Sequence, residues 1–146
     1  MMQAIRGVLY STIFGMKHIL IVNKWRKTMI TERYSVTFLG VDQRSYTINV
    51  LADIWEVSAE KVFEETGIYV TGIIDTNYLV SELKSGHESG DIIYIVVSIR
   101  NPSLTISEEA YWNAYKEVIK EVRGRLDNPG MTITKHEIDF YYFLNV

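Results

Sequence analysis

No cysteine occurs among the 146 residues. Disulfides, thiolate nucleophiles and thiolate metal ligands are thereby excluded, and the chain fits a reducing cytoplasm. Histidine is nearly as scarce, and His18, His87 and His136 are too scattered to match a metal-ligand spacing. No metal and no cofactor is expected. Long apolar runs are missing as well. Gly7–Met16 and His18–Val22 are interrupted at Lys17 and His18, so nothing reaches the roughly 20 apolar residues that cross a bilayer.

Acid is missing from residues 1–28, which hold Arg6, Lys17, Lys24, Arg26 and Lys27. All 18 acidic residues and ten of the 15 basic ones follow, so the net charge is +5 before Met29 and −8 after it. Such a break marks segments of different origin. Trp25-Arg26 can be encoded TGGAGG, a purine-rich ribosome-binding sequence a short spacer upstream of the Met29 codon. Met29 is therefore expected to be the natural start, with 1–28 a basic leader translated from upstream sequence and 29–146 one compact domain. A basic amphipathic helix lying on a membrane surface is the competing reading of the leader. The acidic balance of 29–146 argues against duplex nucleic acid as a partner, because phosphate binding needs a basic surface.

Chemistry-bearing motifs are also missing. There is no phosphate-binding Gly-rich loop, no dinucleotide fingerprint and no His-Glu-x-x-His. Gly86-His87-Glu88-Ser89-Gly90 imitates a nucleophile elbow without the strand–turn–helix context that one requires. Glu64-Glu65 and Glu108-Glu109 read as solvated helix faces. His136-Glu137 is either an acid/base pair or a surface pair on an edge strand. No catalytic residue is expected.

What is present specifies a fold. Tyr34–Gly40 and Tyr46–Ile54 read as a hairpin around Val41–Ser45. Ser58 would cap a short helix Ala59–Thr66 closed by Gly67. Ile68–Asp75 reads as a strand, with Thr76–Leu83 a separate strand or bent extension, and Lys84–Asp91 as a loop. Ile92–Arg100 is the most apolar run and reads as the central strand. Ser107–Asp127 is the clearest helix, with Tyr111, Trp112, Tyr115, Val118, Ile119, Val122 and Leu126 on one stripe. Asn128-Pro129-Gly130 stops it, and Met131–Leu144 is a last strand. The expectation is an α+β fold in the order ββαβ(β)βαβ, an antiparallel sheet with a short helix and a long C-terminal amphipathic helix on one face.

Arg100-Asn101-Pro102 ends the central strand, and Pro102 restricts Asn101 to extended backbone. Arg offers a planar fork for phosphate or carboxylate, and Asn offers donor and acceptor to a base or ribose edge. Trp112, one turn into the next helix, could wall such a site. Alternatively Arg100 pairs with a helix carboxylate such as Glu108, Asn101 caps the turn and Trp112 packs in the core. Arg33, Arg44 and Arg123 are further cations in an acidic chain, and ten tyrosines suit a sheet face, an interface or a ligand pocket.

Several words of sequence, Gly67-Ile68-Tyr69-Val70, Ser98-Ile99-Arg100-Asn101-Pro102, the aromatic helix with Trp112 and the closing Tyr141-Tyr142-Phe143, together with the order of elements, resemble a family of small phage proteins. Those proteins counter bacterial Thoeris defence by sequestering its cyclic ADP-ribose signal. The resemblance covers Met29–Val146 and implies a non-enzymatic homo-oligomeric sponge in the cytoplasm. It implies a cyclic nucleotide signal as partner, held by Arg100, Asn101, Trp112, Tyr69 and Arg33. The alternative is a small oligomeric structural or protein-interaction module without a small-molecule ligand. An enzyme of unrecognised type is the third class.

Overall fold

The computed structural model describes residues 8–11, 18–21, 24–81 and 91–144. The expected elbow imitation at 86–90 lies outside them, as do most of the loop 84–91 and much of the leader. The chain divides into two compact units. One comprises Met1–Ile30 with Asp139–Val146, the other Thr31–Ile138. In the first, β1 (Val8–Ser11) and β2 (His18–Ile21) form an antiparallel hairpin.

The second unit carries the rest. Its elements run β3 (Lys24–Leu39), α1 (Ile48–Thr66), β4 (Ile73–Leu79), β5 (Asp91–Ile99), α2 (Glu108–Arg125) and β6 (Gly130–Leu144), with β3 and β6 extending into the first unit. The sheet order is β4-β5-β3-β6. This is the βαββαβ arrangement of ferredoxin-like folds, a split βαβ in which β5 is inserted between β3 and β4. The expected α+β class and antiparallel sheet are both observed.

Two local expectations change. Tyr46–Ile54, read as a strand from its alternation of apolar and polar positions, instead opens α1. Thr47 is the N-cap, its Oγ1 accepting from the Val50 N–H at 3.3 Å. The deciding pattern is the longer one. Leu51, Trp55, Ser58, Ala59 and Val62 recur at helical spacing and are all buried, and that 3.6-residue stripe outweighs a short β-branched run. The expected short helix is thus 19 residues long. It ends where expected, at Gly67, whose φ of 77° is left-handed and suits a residue without a Cβ. Beyond it, Ile68–Gly72 is not strand. This stretch passes Trp55, whose Nε1 donates to the Val70 carbonyl at 3.1 Å, and only Ile73–Leu79 joins the sheet.

β5 lies between β4 and β3, as its apolar run demands. Register pairs Tyr34 with Ser98, Val36 with Val96 and Phe38 with Tyr94, all buried on one sheet face. Against that face pack Leu51, Trp55 and Val62 of α1 and Tyr111, Tyr115, Val118 and Val122 of α2. Each fully buried Val or Leu contributes about 1.5–3 kcal/mol, which is why this face defines the unit's core. α2 begins as its capping signal requires, with Ser107 Oγ accepting from the Ala110 N–H at 3.1 Å.

Candidate functional site

β5 hands over to α2 through Arg100–Ser107, and a buried ion pair organises this corner. Arg100 is 3% exposed. Its Nε donates to Glu32 Oε1 at 2.6 Å and its Nη2 to Glu32 Oε2 at 3.1 Å, a two-pronged pairing that only a guanidinium can make. Nη1 donates to the carbonyls of Thr105 and Ile106, at 2.8 and 3.1 Å. The backbone is tied as well: the Arg100 N–H donates to the Glu32 carbonyl at 3.1 Å, and Thr31 Oγ1 donates to the Arg100 carbonyl at 2.6 Å. Hydrogen bonding to Glu32 holds the guanidinium still more firmly charged than usual.

The surrounding loop is ordered by short-range bonds. Asn101 Oδ1 accepts from the Ser103 N–H at 2.9 Å, and the Asn101 carbonyl accepts from the N–H groups of Leu104 and Thr105. With its main chain so engaged, the loop turns Leu104 and Ile106 outward, 82% and 77% exposed.

Beside the ion pair lies an aromatic cluster. The Tyr34 ring lies 4.7 Å from that of Tyr115, 5.5 Å from Tyr111 and 5.7 Å from Trp112, measured between centroids. Tyr111 and Ser98 share a hydroxyl hydrogen bond of 2.5 Å, whereas the buried hydroxyls of Tyr34 and Tyr115 have no protein partner. Burial, more than neighbouring charge, pushes the phenols of Tyr34, Tyr111 and Tyr115 up, so all three stay protonated at neutral pH. Trp112 is half-buried at the cluster's margin, with the ammonium groups of Lys116 and Lys135 5.4 and 5.7 Å from its ring centroid.

The residues expected to hold a ligand are thus only partly brought together. Arg100, Asn101 and Trp112 share this corner, but the Arg100 fork is taken by Glu32 and the Asn101 side chain by its own turn. The carboxylate facing Arg100 is not Glu108, which instead pairs with Lys135 at 2.8 Å. Arg33 lies on β3 opposite Ile99, with its side chain exposed. Tyr69 sits elsewhere, 43% exposed and edge-on to Phe63 at 6.0 Å. Burial raises its phenol, with Glu56 and Glu60 adding to the shift. Sequence reading missed Glu32. The signal was there in principle, because pairing Arg33 with Ile99 sets Glu32 opposite Arg100.

Among the described residues no cluster of three or more His, Asp or Glu is placed to hold a metal, and no helix is long and apolar enough to cross a membrane. The model of the SAM lyase family matches residues 29–144. The chain belongs to the SAM lyase family. It is also similar in structure to a phage SAM lyase solved in complex with S-methyl-5'-thioadenosine. The TM-score is 0.52 at 18% identity, covering 83% of this chain and 94% of that one. At that identity the likeness concerns the fold. No curated protein matches the sequence.

Membership overturns three expectations. The reading as a cyclic ADP-ribose sponge is wrong, and with it the cyclic nucleotide signal as partner and the absence of an enzyme. The error came from the resemblance, which rests on short words of sequence; at this corner the Arg100 fork pairs with Glu32 and the Asn101 side chain accepts from the Ser103 N–H, bonds that serve the fold. The resemblance to phage proteins was sound only at its coarsest level, since the structural neighbour is a phage protein.

Proposed function

We propose that this protein cleaves S-adenosylmethionine without water, releasing S-methyl-5'-thioadenosine. The observation that carries this reading is the family match across 29–144, and we assign the activity to that segment rather than to the basic leader. S-methyl-5'-thioadenosine is S-adenosylmethionine less the four-carbon amino-acid group on sulfur. Breaking that sulfur–carbon bond leaves the electron pair on sulfur and turns a sulfonium into a neutral thioether. In a lyase the carbon must then be satisfied within the substrate. Either its own carboxylate oxygen closes a ring on it, or an adjacent proton is lost to form a double bond. The second course needs a base. Ring closure needs none, and is the course we favour. The enzyme's task is then to hold the substrate folded and shed water around the sulfonium.

Trp112, half-buried, offers part of its ring to a purine, whereas Tyr69 sits away from the Arg100 corner and Arg33, alternating with Tyr34, projects from the opposite face of the sheet. Arg100 and Asn101 are supports. S-adenosylmethionine is a small soluble metabolite, so the working site is the cytoplasm of the host. Incubating purified protein with S-adenosylmethionine and separating the products by chromatography tests the reading. Accumulation of S-methyl-5'-thioadenosine is expected, and unchanged substrate at equimolar enzyme would reject it.

A further inference from the structure

Leu104 and Ile106 are the two most exposed large apolar side chains among the described residues. Loop tips that carry aliphatics into water are normally loose, yet this one is held from beneath. A buried guanidinium grips the carbonyls of Thr105 and Ile106, Asn101 closes the turn before them, and Ser107 caps the helix after them. Nor is the grip there for stability. A buried ion pair gains little over an apolar pair of equal volume, because desolvating both charges offsets their attraction. What the pair does supply is a fixed position for the loop. Immediately beyond the tip, α2 opens with Glu108 and Glu109, both exposed; Glu108 is paired with Lys135 at 2.8 Å, and Glu109 has no basic partner among the described residues. An apolar tip beside the Glu109 carboxylate complements a cation clothed in carbon, which is the chemistry of a sulfonium bearing a methyl group and two methylenes.

We propose that Leu104 and Ile106 form the apolar contact for the sulfonium end of S-adenosylmethionine, and that Arg100, paired with Glu32, is the positioning residue that holds them there. The inference rests on the lyase reading. Substrate carries the charge that Glu109 attracts, and the neutral thioether product does not, so the same surface favours substrate over product. Arg100 touches no reacting atom; it acts through two carbonyls.

The test uses the full chain. Leu104→Ser with Ile106→Ser alters only exposed side chains and leaves the fold intact. In this double variant KM for S-adenosylmethionine should rise by about tenfold, the order expected for losing methylene-sized apolar contacts, with kcat little changed. Glu32→Met with Arg100→Met, which leaves no unpaired charge, should raise KM likewise while Tm is held. Light scattering on both variants accompanies the kinetics. Unchanged KM in the serine variant overturns the proposal. A fall in activity that tracks a change in oligomeric state also overturns it, and assigns the loop to contacts between copies. Failure of the lyase reading is distinct, since the unaltered protein would then form no S-methyl-5'-thioadenosine at all.

Discussion

Two polar groups are buried side by side in this core and meet opposite fates. At the Arg100–Glu32 corner four side-chain hydrogen bonds leave the guanidinium with almost nothing unmade. In the same core, the hydroxyls of Tyr34 and Tyr115 are also buried and bonded to no protein atom. The first arrangement ties β3, β5 and the entry to α2 into one geometry. The second uses tyrosine as a large apolar ring that happens to carry an oxygen. Their difference shows how polarity is spent in this fold: directional bonds go where a loop must be placed, and ring area goes where volume must be filled.

Breaking the satisfied corner should have the largest effect. Arg100→Ala strands Glu32 in the core and should destabilise by about 3–5 kcal/mol, whereas pairing it with Glu32→Met should recover most of that loss. Denaturant unfolding of the two variants measures the difference. Next comes the packing around Trp55. A Cβ on Gly72 would lie 2.9 Å from the Trp55 ring and from Val96 Cγ1, so Gly72→Ala should destabilise by about 1–3 kcal/mol. Calorimetry would show it as a lowered Tm.

The unsatisfied hydroxyls sharpen the contrast. Tyr34→Phe and Tyr115→Phe remove an oxygen that bonds nothing, so stability should change by less than about 1 kcal/mol or rise. A larger loss would reveal a bridging water between the rings. Smallest of all is the effect of pH through the exposed pairs. Lys61 and Lys135 hold Glu121 and Glu108 below the usual carboxylate range. Depressed carboxylates stabilise above their unfolded pKa, and the contribution fades as pH falls through the lower folded value. Acid titration of Tm should therefore show a slight decline in that window, absent from a Lys61→Met, Lys135→Met variant and weakened by salt.

Much of the fold was legible because burial repeats along the chain. The stripe from Tyr111 to Leu126 and the apolar run of β5 each placed an element within a residue or two. Tyr46–Ile54 misled because its β-branched alternation is local, while Leu51, Trp55, Ala59 and Val62 declare a helix only over a longer span. The candidate site was less legible. Arg100 and Trp112 stood out, but Glu32 is far from Arg100 in sequence and is joined to it only by strand register. A pairing of that kind leaves no periodic trace. The enzymatic nature of the chain left none either, and the ring closure proposed above would ask for no metal, no thiol and no catalytic dyad.

The most direct test of the central claim is cleavage of S-adenosylmethionine in water enriched in oxygen-18. A lyase predicts S-methyl-5'-thioadenosine together with a four-carbon product that carries no label on the carbon released from sulfur. Label on that carbon would mean that water attacked it, and would make the protein a hydrolase instead.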